Sequence, residues 1–437
     1  MINVATRIRT STLVKNTGWM FGGFGLRIVI QAIYFVLIAR TLGSKEYGAF
    51  VAITALMSVL APFVGFGIAP LLVKNVSRNH GLLADYWGNG LLVTCASGVG
   101  FLAIVLATAR FTLPDSVVFA SVLLVGISDL VFAKILDLAI LAFLAVENMS
   151  KSAQLQVLIS ASRLLGIAVL RLIISHPTAK AWAFVYLVAT AATALFALVS
   201  VWNRIGAPRL ALHRIRPEFI EGIYFSASLS AQTIYNDIDK IMLARMAGLD
   251  AAGIYAAAYR IIDVAFTPVR SLLNAAWPRF FQHGLNGIGE SRSYSLRLIP
   301  PAAAYSLCAA AAMLAGASLV PHILGPQFAD TGAALRWLAL LPLLKTLHYL
   351  MGDALTGAGY QGIRTLVQAG VAIFNVLLNL WIIPRYSWRG AAWSSLASDG
   401  LLAGLIWAAV YFKCRQTNSR IASLDGTALV IERIEES

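Results

Sequence analysis

The sequence predicts an all-α polytopic membrane protein, with about 12 transmembrane helices in two six-helix bundles related by a parallel pseudo-two-fold repeat. Three observations carry that prediction. Charged residues are only 12% of the chain and hydrophobic ones 59%, whereas a soluble domain carries about a quarter charged residues. About twelve stretches are long and apolar enough to cross a hydrocarbon core of roughly 30 Å. Finally, one corner of the chain is written twice, as ARTLGSKEYGAF from Ala39 and as ARMAGLDAAGIY from Ala244.

The apolar stretches centre near Val29, Met57, Gly98, Leu124, Leu165, Thr190, Ala231, Phe266, Ala310, Leu343, Phe374 and Leu405. All are read as helices, because lipid cannot satisfy an open sheet edge. Ionisable side chains interrupt those around Leu165, Ala231 and Leu343. The basic residues Arg7, Arg9 and Lys15 precede an apolar run of about twenty residues, longer than a signal core, so this is expected to be a first permanent span. Cys95, Cys308 and Cys414 are odd in number and far apart, which suggests neither a disulfide framework nor a metal site.

The formal charge of +14 could suggest nucleic acid, but its distribution suggests a membrane instead. With a cytoplasmic N-terminus and alternating loops, the inner side carries roughly eighteen Lys/Arg and the outer side roughly eight. Arg204, Arg209, Arg214 and Arg216 crowd one inner loop. No nucleic-acid partner is expected. The expected organisation is an N-terminal bundle over 1–203, a cytoplasmic linker over 204–220, a C-terminal bundle over 221–413 and a cytoplasmic tail over 414–437. No connection is long enough for a soluble domain. The chain lacks a GxxxxGK[ST] cradle, HExxH and GxSxG, so neither an ATPase, a catalytic site nor a cofactor or metal site is expected.

The two corners match at Ala39/Ala244, Arg40/Arg245, Gly43/Gly248, Gly48/Gly253 and Phe50/Tyr255, at a constant offset of about 205 residues. Each closes the first span of a six-span set and opens the second. A weaker echo aligns Glu147–Lys151 with Tyr360–Arg364, each after a fourth span. Six helices per half put both copies on the same membrane side, the parallel arrangement of transporters with a site between their halves.

Polar residues recur at helical spacing inside three spans. Ser226, Ser230, Thr233, Asp237 and Lys240 share one face, as do Arg260, Asp263, Thr267, Arg270 and Asn274. Arg27, Gln31 and Tyr34 continue the pattern on the first span. Each ionisable group at a helix centre costs at least roughly 2.5–3.5 kcal/mol unless it faces protein or water. One reading makes Asp237–Lys240 and Arg260–Asp263 self-neutralising (i, i+3) pairs. The other lines a water-filled cavity between the halves, and it is favoured because pairing leaves Arg27, Arg270 and the hydroxyl and amide positions unexplained. Asp239 lies about 200° from the Asp237 face and is expected to meet another helix.

A cavity with Arg27, Gln31, Lys240, Arg260, Arg270 and Asn274 suits an anion, since guanidinium groups bind phosphate through paired hydrogen bonds. Asp237, Asp239 and Asp263 are candidates to carry a coupling proton or cation, or to hold the cations in place. Lys345, His348 and Asp353, with Asp129, Lys134 and Asp137, are lesser candidates that read first as local pairs or interface snorkellers. Asn375, Asn379 and Asp399 read as interhelical hydrogen-bonding residues. Pro268, Pro278 and Pro342 are candidate bends.

LGSKEYGAF, NDIDKIMLARMAGLDAAGIYAAAYR and GDALTGAGYQ resemble the polysaccharide and O-antigen flippases of the multidrug/oligosaccharidyl-lipid/polysaccharide exporter superfamily, and the resemblance runs from roughly Lys15 to Phe412. It implies two six-helix bundles, alternating access, and transfer of an undecaprenyl-diphosphate-linked oligosaccharide to the periplasmic leaflet of the bacterial inner membrane. It also implies a proton or sodium gradient as driver, cationic cavity residues for which Arg27, Arg260 and Arg270 are the natural positions, and polysaccharide assembly proteins as partners. A multidrug or cation antiporter of the same superfamily, a lipid II flippase and a polysaccharide polymerase or ligase are the alternatives. The first would want an acidic cavity and the last a large outer loop.

Overall fold

A computed structural model describes the backbone of residues 2–212 and 219–435, and the side chains of most residues between 22 and 417. The calls on Arg7, Arg9, Lys15, Arg214 and Arg216 fall outside the described side chains. All regular structure among the described residues is helical.

The helices are α1 (Ile2–Leu60), α2 (Ile68–Val76), α3 (Leu83–Thr112), α4 (Phe119–Gly126), α5 (Ala133–Ala145), α6 (Met149–Ile173), α7 (Ala179–Ile205), α8 (Phe219–Met246), α9 (Leu249–Gly284), α10 (Ile288–Gly316), α11 (Val320–Leu324), α12 (Ala329–Leu338), α13 (Leu341–Gly357) and α14 (Gln361–Glu435). A π-helical turn, Ile127–Phe132, joins α4 to α5. Every predicted span centre falls in a helix. Two spans share α1, which breaks at Gly43 (φ 72°), and two share α14, which breaks at Ser387 (φ 55°). Among the described residues, seven segments are long and apolar enough to cross a membrane, and because two of them hold two spans each they contain nine of the twelve predicted span centres. The stretches around Ala231, Phe266 and Leu343 are not among the seven: α8 and α9 carry rows of ionisable and amide side chains, and α13 is only 17 residues long. Pro268 and Pro278 lie inside α9, whereas Pro342 opens α13, where its missing N–H costs no hydrogen bond.

The chain forms two compact units. One comprises Met1–Ala256 with Pro321–Ala329, the other Ala257–Val320 with Asp330–Ser437. This division differs from the repeat boundary expected at 204–220, because α8 packs on α1. In the first unit Trp87, Leu138, Phe143, Leu155 and Val201 form a buried core. Buried Asn89 fastens the described part of the linker to α3, donating to the Ala211 carbonyl (2.9 Å) and accepting its N–H (2.8 Å). In the second unit Phe266, Phe280, Leu350 and Ala354 are the core of the α9, α10 and α13 packing. Gly357 lies so close to Phe280 that a Cβ would strike its carbonyl, the small-residue contact that membrane helices favour.

The duplicated corners meet each other within the first unit. A Cβ on Gly48 would overlap the Leu249 carbonyl, and one on Gly253 would overlap the Ser44 carbonyl. Ser44 and Leu249 are equivalent positions, so the contact is reciprocal, as a two-fold axis between the copies requires. Arg40 donates to the carbonyls of His322 (2.5 Å) and Ile323 (2.6 Å), and its equivalent Arg245 to the carbonyl of Leu113 (3.3 Å). Both arginines therefore hold chain just beyond the third long helix of a six-helix set.

The weaker echo also has a structural basis, displaced by one residue. Asn148 N–H donates to Phe143 and Tyr360 N–H to Leu355, both at 2.8 Å, following Glu147 and Gly359 in left-handed conformation. These are matching helix-ending turns. They pair Asn148 with Tyr360, where sequence alone paired Glu147 with Tyr360.

Candidate functional site

A cavity of about 500 Å³ opens within the first unit, lined by Arg27, Lys134, Asp137, Gln156, Arg163 and Ser226 among others. Its size falls in the range of small-molecule sites, roughly 300–1,000 Å³. Arg27 comes from α1, Lys134 and Asp137 from α5, Gln156 and Arg163 from α6, and Ser226 from α8. Three cations thus face one carboxylate.

Each cation is held differently. Arg27 donates to Gln156 Oε1 at 2.9 Å. Lys134 pairs with Asp137 at 3.3 Å, one helical turn away. Arg163 lies over the Tyr186 ring, 4.1 Å from its centroid, and donates to Thr190 Oγ1 at 3.2 Å. Its other anchor is Asp129, 3.9 Å away, whose carboxylate also accepts the Tyr186 hydroxyl at 2.8 Å. Asp129 sits on the π-helical turn, where the extra residue re-aims side chains against the regular helical period. The network fixes the Arg163 guanidinium while leaving it on the cavity wall.

Of the sequence-predicted residues, Arg27, the stripe residue Ser226 and the lesser candidates Lys134 and Asp137 line this cavity, while Gln31, Lys240, Arg260, Arg270, Asn274, Asp237, Asp239 and Asp263 are not on its walls. Gln31, one turn further on α1, is half-buried outside it. Lys240 pairs with Asp237, as the (i, i+3) spacing predicts, and Asp237 also accepts from Ser58 on α1 at 3.0 Å. Asp239 is buried and accepts the Tyr255 hydroxyl from the start of α9. In the second unit, Asp263 is partnered by Arg270 at 3.6 Å rather than by Arg260, because seven residues bring two positions onto one face and a long arginine spans the two turns. Arg260 is half-buried and has no ion pair among the described residues, while Asn274 is exposed.

Sequence reasoning missed Arg163 and Gln156. The signal was present: Gln156, Ser160 and Arg163 step by four and three, the same face rule that singled out α8 and α9. Tyr186 and Thr190, four apart on α7, complete the pattern.

These walls lie within the stretch matched by a family model described as a polysaccharide biosynthesis protein, residues 13–283. The chain belongs to the polysaccharide biosynthesis protein family. This family member is 24% identical over 419 residues to an uncharacterized membrane protein of Methanocaldococcus jannaschii, an alignment covering 87% of this chain and 80% of that one. Its fold is that of a multidrug resistance MATE family transporter of the MOP superfamily in an inward-facing conformation, with TM-score 0.72 at 14% identity over 92% of this chain and 96% of that chain. It is also that of the lipid II flippase MurJ in an inward closed conformation, with TM-score 0.67 at 10% identity over 91% and 87%. The polysaccharide biosynthesis family member is thus a multi-pass membrane protein with a transporter fold.

Proposed function

We propose that the protein is a flippase for an undecaprenyl-diphosphate-linked oligosaccharide, an O-antigen or exopolysaccharide repeat unit, in the bacterial inner membrane. The observation that carries this reading is the basic cavity of Arg27, Lys134 and Arg163 in a member of the polysaccharide biosynthesis family. A dianionic diphosphate at about 4 Å from one guanidinium gains on the order of 4 kcal/mol per charge pair at an effective dielectric near 20. Arginine forks also match phosphate geometry. The sugar and diphosphate occupy the cavity while the polyprenyl tail stays in lipid, and alternating access moves the headgroup to the outer leaflet. Both termini are cytoplasmic, and a proton or sodium gradient drives the cycle. Asp237 and Asp263, bonded to Lys240 and Arg270, hold those cations in place along the route. Polysaccharide assembly proteins receive the product.

Two alternatives fit less well. A cation antiporter wants acidic walls, and this cavity has one carboxylate against three cations. A polymerase or ligase wants a large acceptor-binding loop, whereas the described connections between long helices are short.

The test is flipping of a fluorescent lipid-linked sugar in proteoliposomes. Arg27→Ala, Arg163→Ala and Arg270→Ala should each lower the rate, the cavity pair most. Unchanged flipping in all three would remove the anion site, and glycosidic-bond formation by the purified protein would favour the enzyme.

A further inference from the structure

Away from the cavity, the second unit contains a pair of buried ionisable side chains that the anion route does not use. His348 on α13 and Asp399 on α14 are 4% and 1% exposed, with Nε2 and Oδ1 3.0 Å apart. Such groups inside a membrane-spanning bundle are costly and mark ion pathways. A structural pair would be expected to satisfy both ring nitrogens. Here Nδ1 has no hydrogen-bond partner among the described residues.

The surroundings are polar and buried. Asn375 donates to the hydroxyls of Ser394 (3.2 Å) and Ser398 (3.0 Å), next in sequence to Asp399, and accepts from Asn379 (3.0 Å). The Oδ1 of fully buried Asn379 lacks a partner among the described residues. From α10, Ser306 bonds Thr346 at 2.9 Å and Ser295 bonds the Leu350 carbonyl at 2.7 Å. The charged groups acting on the ring are Asp399, Lys345 on its own helix and Arg364 on α14. Arg364 is already neutralised by Asp353 at 2.8 Å. Lys345, 4% exposed, lies 4.9 Å from the Tyr259 ring centroid on α9 and has no ion pair among the described residues. With His348 neutral, Lys345 balances Asp399 and Arg364 balances Asp353. One added proton therefore changes the net charge of this cluster from zero to positive.

We propose that His348, oriented by Asp399, is the proton-binding site of the carrier, so that the coupling ion is a proton. The neutral ring gives its Nε2–H to Asp399, takes one proton on Nδ1 to become imidazolium, and returns that proton from Nδ1 in the opposite conformation. Asp399 remains ionised and stabilises the charged ring. As a coupling site the pair rests on the flippase reading; as a proton site it is measurable without transport.

The experiment uses the full-length protein, first in nanodiscs with the other five of its six histidines replaced by Gln. Nitrogen-15 resonances of the remaining ring should show Nδ1 gaining a proton as the pH falls, and should lose that transition in Asp399→Asn. A ring that never gains the second proton overturns the proposal. In proteoliposomes, His348→Gln and Asp399→Asn should lose stimulation of flipping by a pH gradient while keeping exchange at equal pH. Undiminished stimulation in folded His348→Gln also overturns it. Wild-type protein that flips no lipid-linked sugar would count against the flippase reading alone, since the resonance titration still decides whether His348 binds the proton.

Discussion

Gly48 and Gly253 face each other across a dyad, each so close to the other copy's backbone that neither position has room for a Cβ. Overpacking of a tight contact costs about 1–3 kcal/mol. Gly48→Ala and Gly253→Ala are each expected to destabilise by that amount. The double variant should cost less than the sum, since one substitution already opens the gap for the other. Thermal unfolding in detergent of the two single variants and the double variant measures this, and strict additivity would contradict the reciprocal contact.

Arg40 and Arg245 offer a graded comparison at the same corner. Arg40 bonds two carbonyls at short distance and Arg245 one at 3.3 Å. Both are exposed, so Arg40→Gln is expected near the low end of charged hydrogen bonds, about 1.5 kcal/mol, and Arg245→Gln at about half that. The same unfolding assay should rank them in this order.

The Asp129, Tyr186 and Arg163 network predicts a compensated pair. Asp129→Asn leaves Arg163 near a neutral amide. Because the ion pair is loose, the expected cost is about 2 kcal/mol, below the roughly 3–5 kcal/mol of a tight buried pair. Adding Arg163→Gln should recover part of it, while Arg163→Ala alone should lower flipping without comparable loss of stability.

Arg163→Lys tests the chemistry of the cavity wall. Lysine keeps the charge but loses the planar contact with Tyr186 and the forked donors. Flipping should fall at least tenfold, corresponding to about 1.4 kcal/mol of transition-state stabilisation. Retention of the wild-type rate would show that charge alone suffices.

Water in the cavity can be checked at Gln156, which lines it beside Arg27. With Cys95, Cys308 and Cys414 replaced, Gln156→Cys should react with a charged thiol reagent added from the aqueous phase, and inorganic diphosphate should slow that reaction. A cysteine there that stays unreactive in every condition would indicate a dry helix contact.

The sequence made the helices, the duplicated corner and the Asp237–Lys240 pair legible, because each depends on local spacing. Arg27 was found for the same reason. The cavity in the first unit was not legible, since its cationic wall depends on which helices pack together: α6 brings Arg163 beside Arg27, and no spacing within either helix reveals that. The π-helical turn at Asp129 was equally hidden, because an added residue in a helical period leaves no composition signal. The second echo was mispaired by one residue because its equivalence lies in backbone hydrogen bonds and in a left-handed Glu147, which Gly replaces at position 359.

The two copies of the corner have also diverged in what they bond. Ser44 Oγ donates to Asp250 at 2.7 Å, but the mirrored bond would have to join Leu249 to Lys45, and a leucine has nothing to donate. With one side of this glycine crossing hydrogen-bonded and the other apolar, the two copies are no longer exchangeable: two identical N-terminal copies would set Ser44 against Lys45 and lose the Asp250 carboxylate as acceptor.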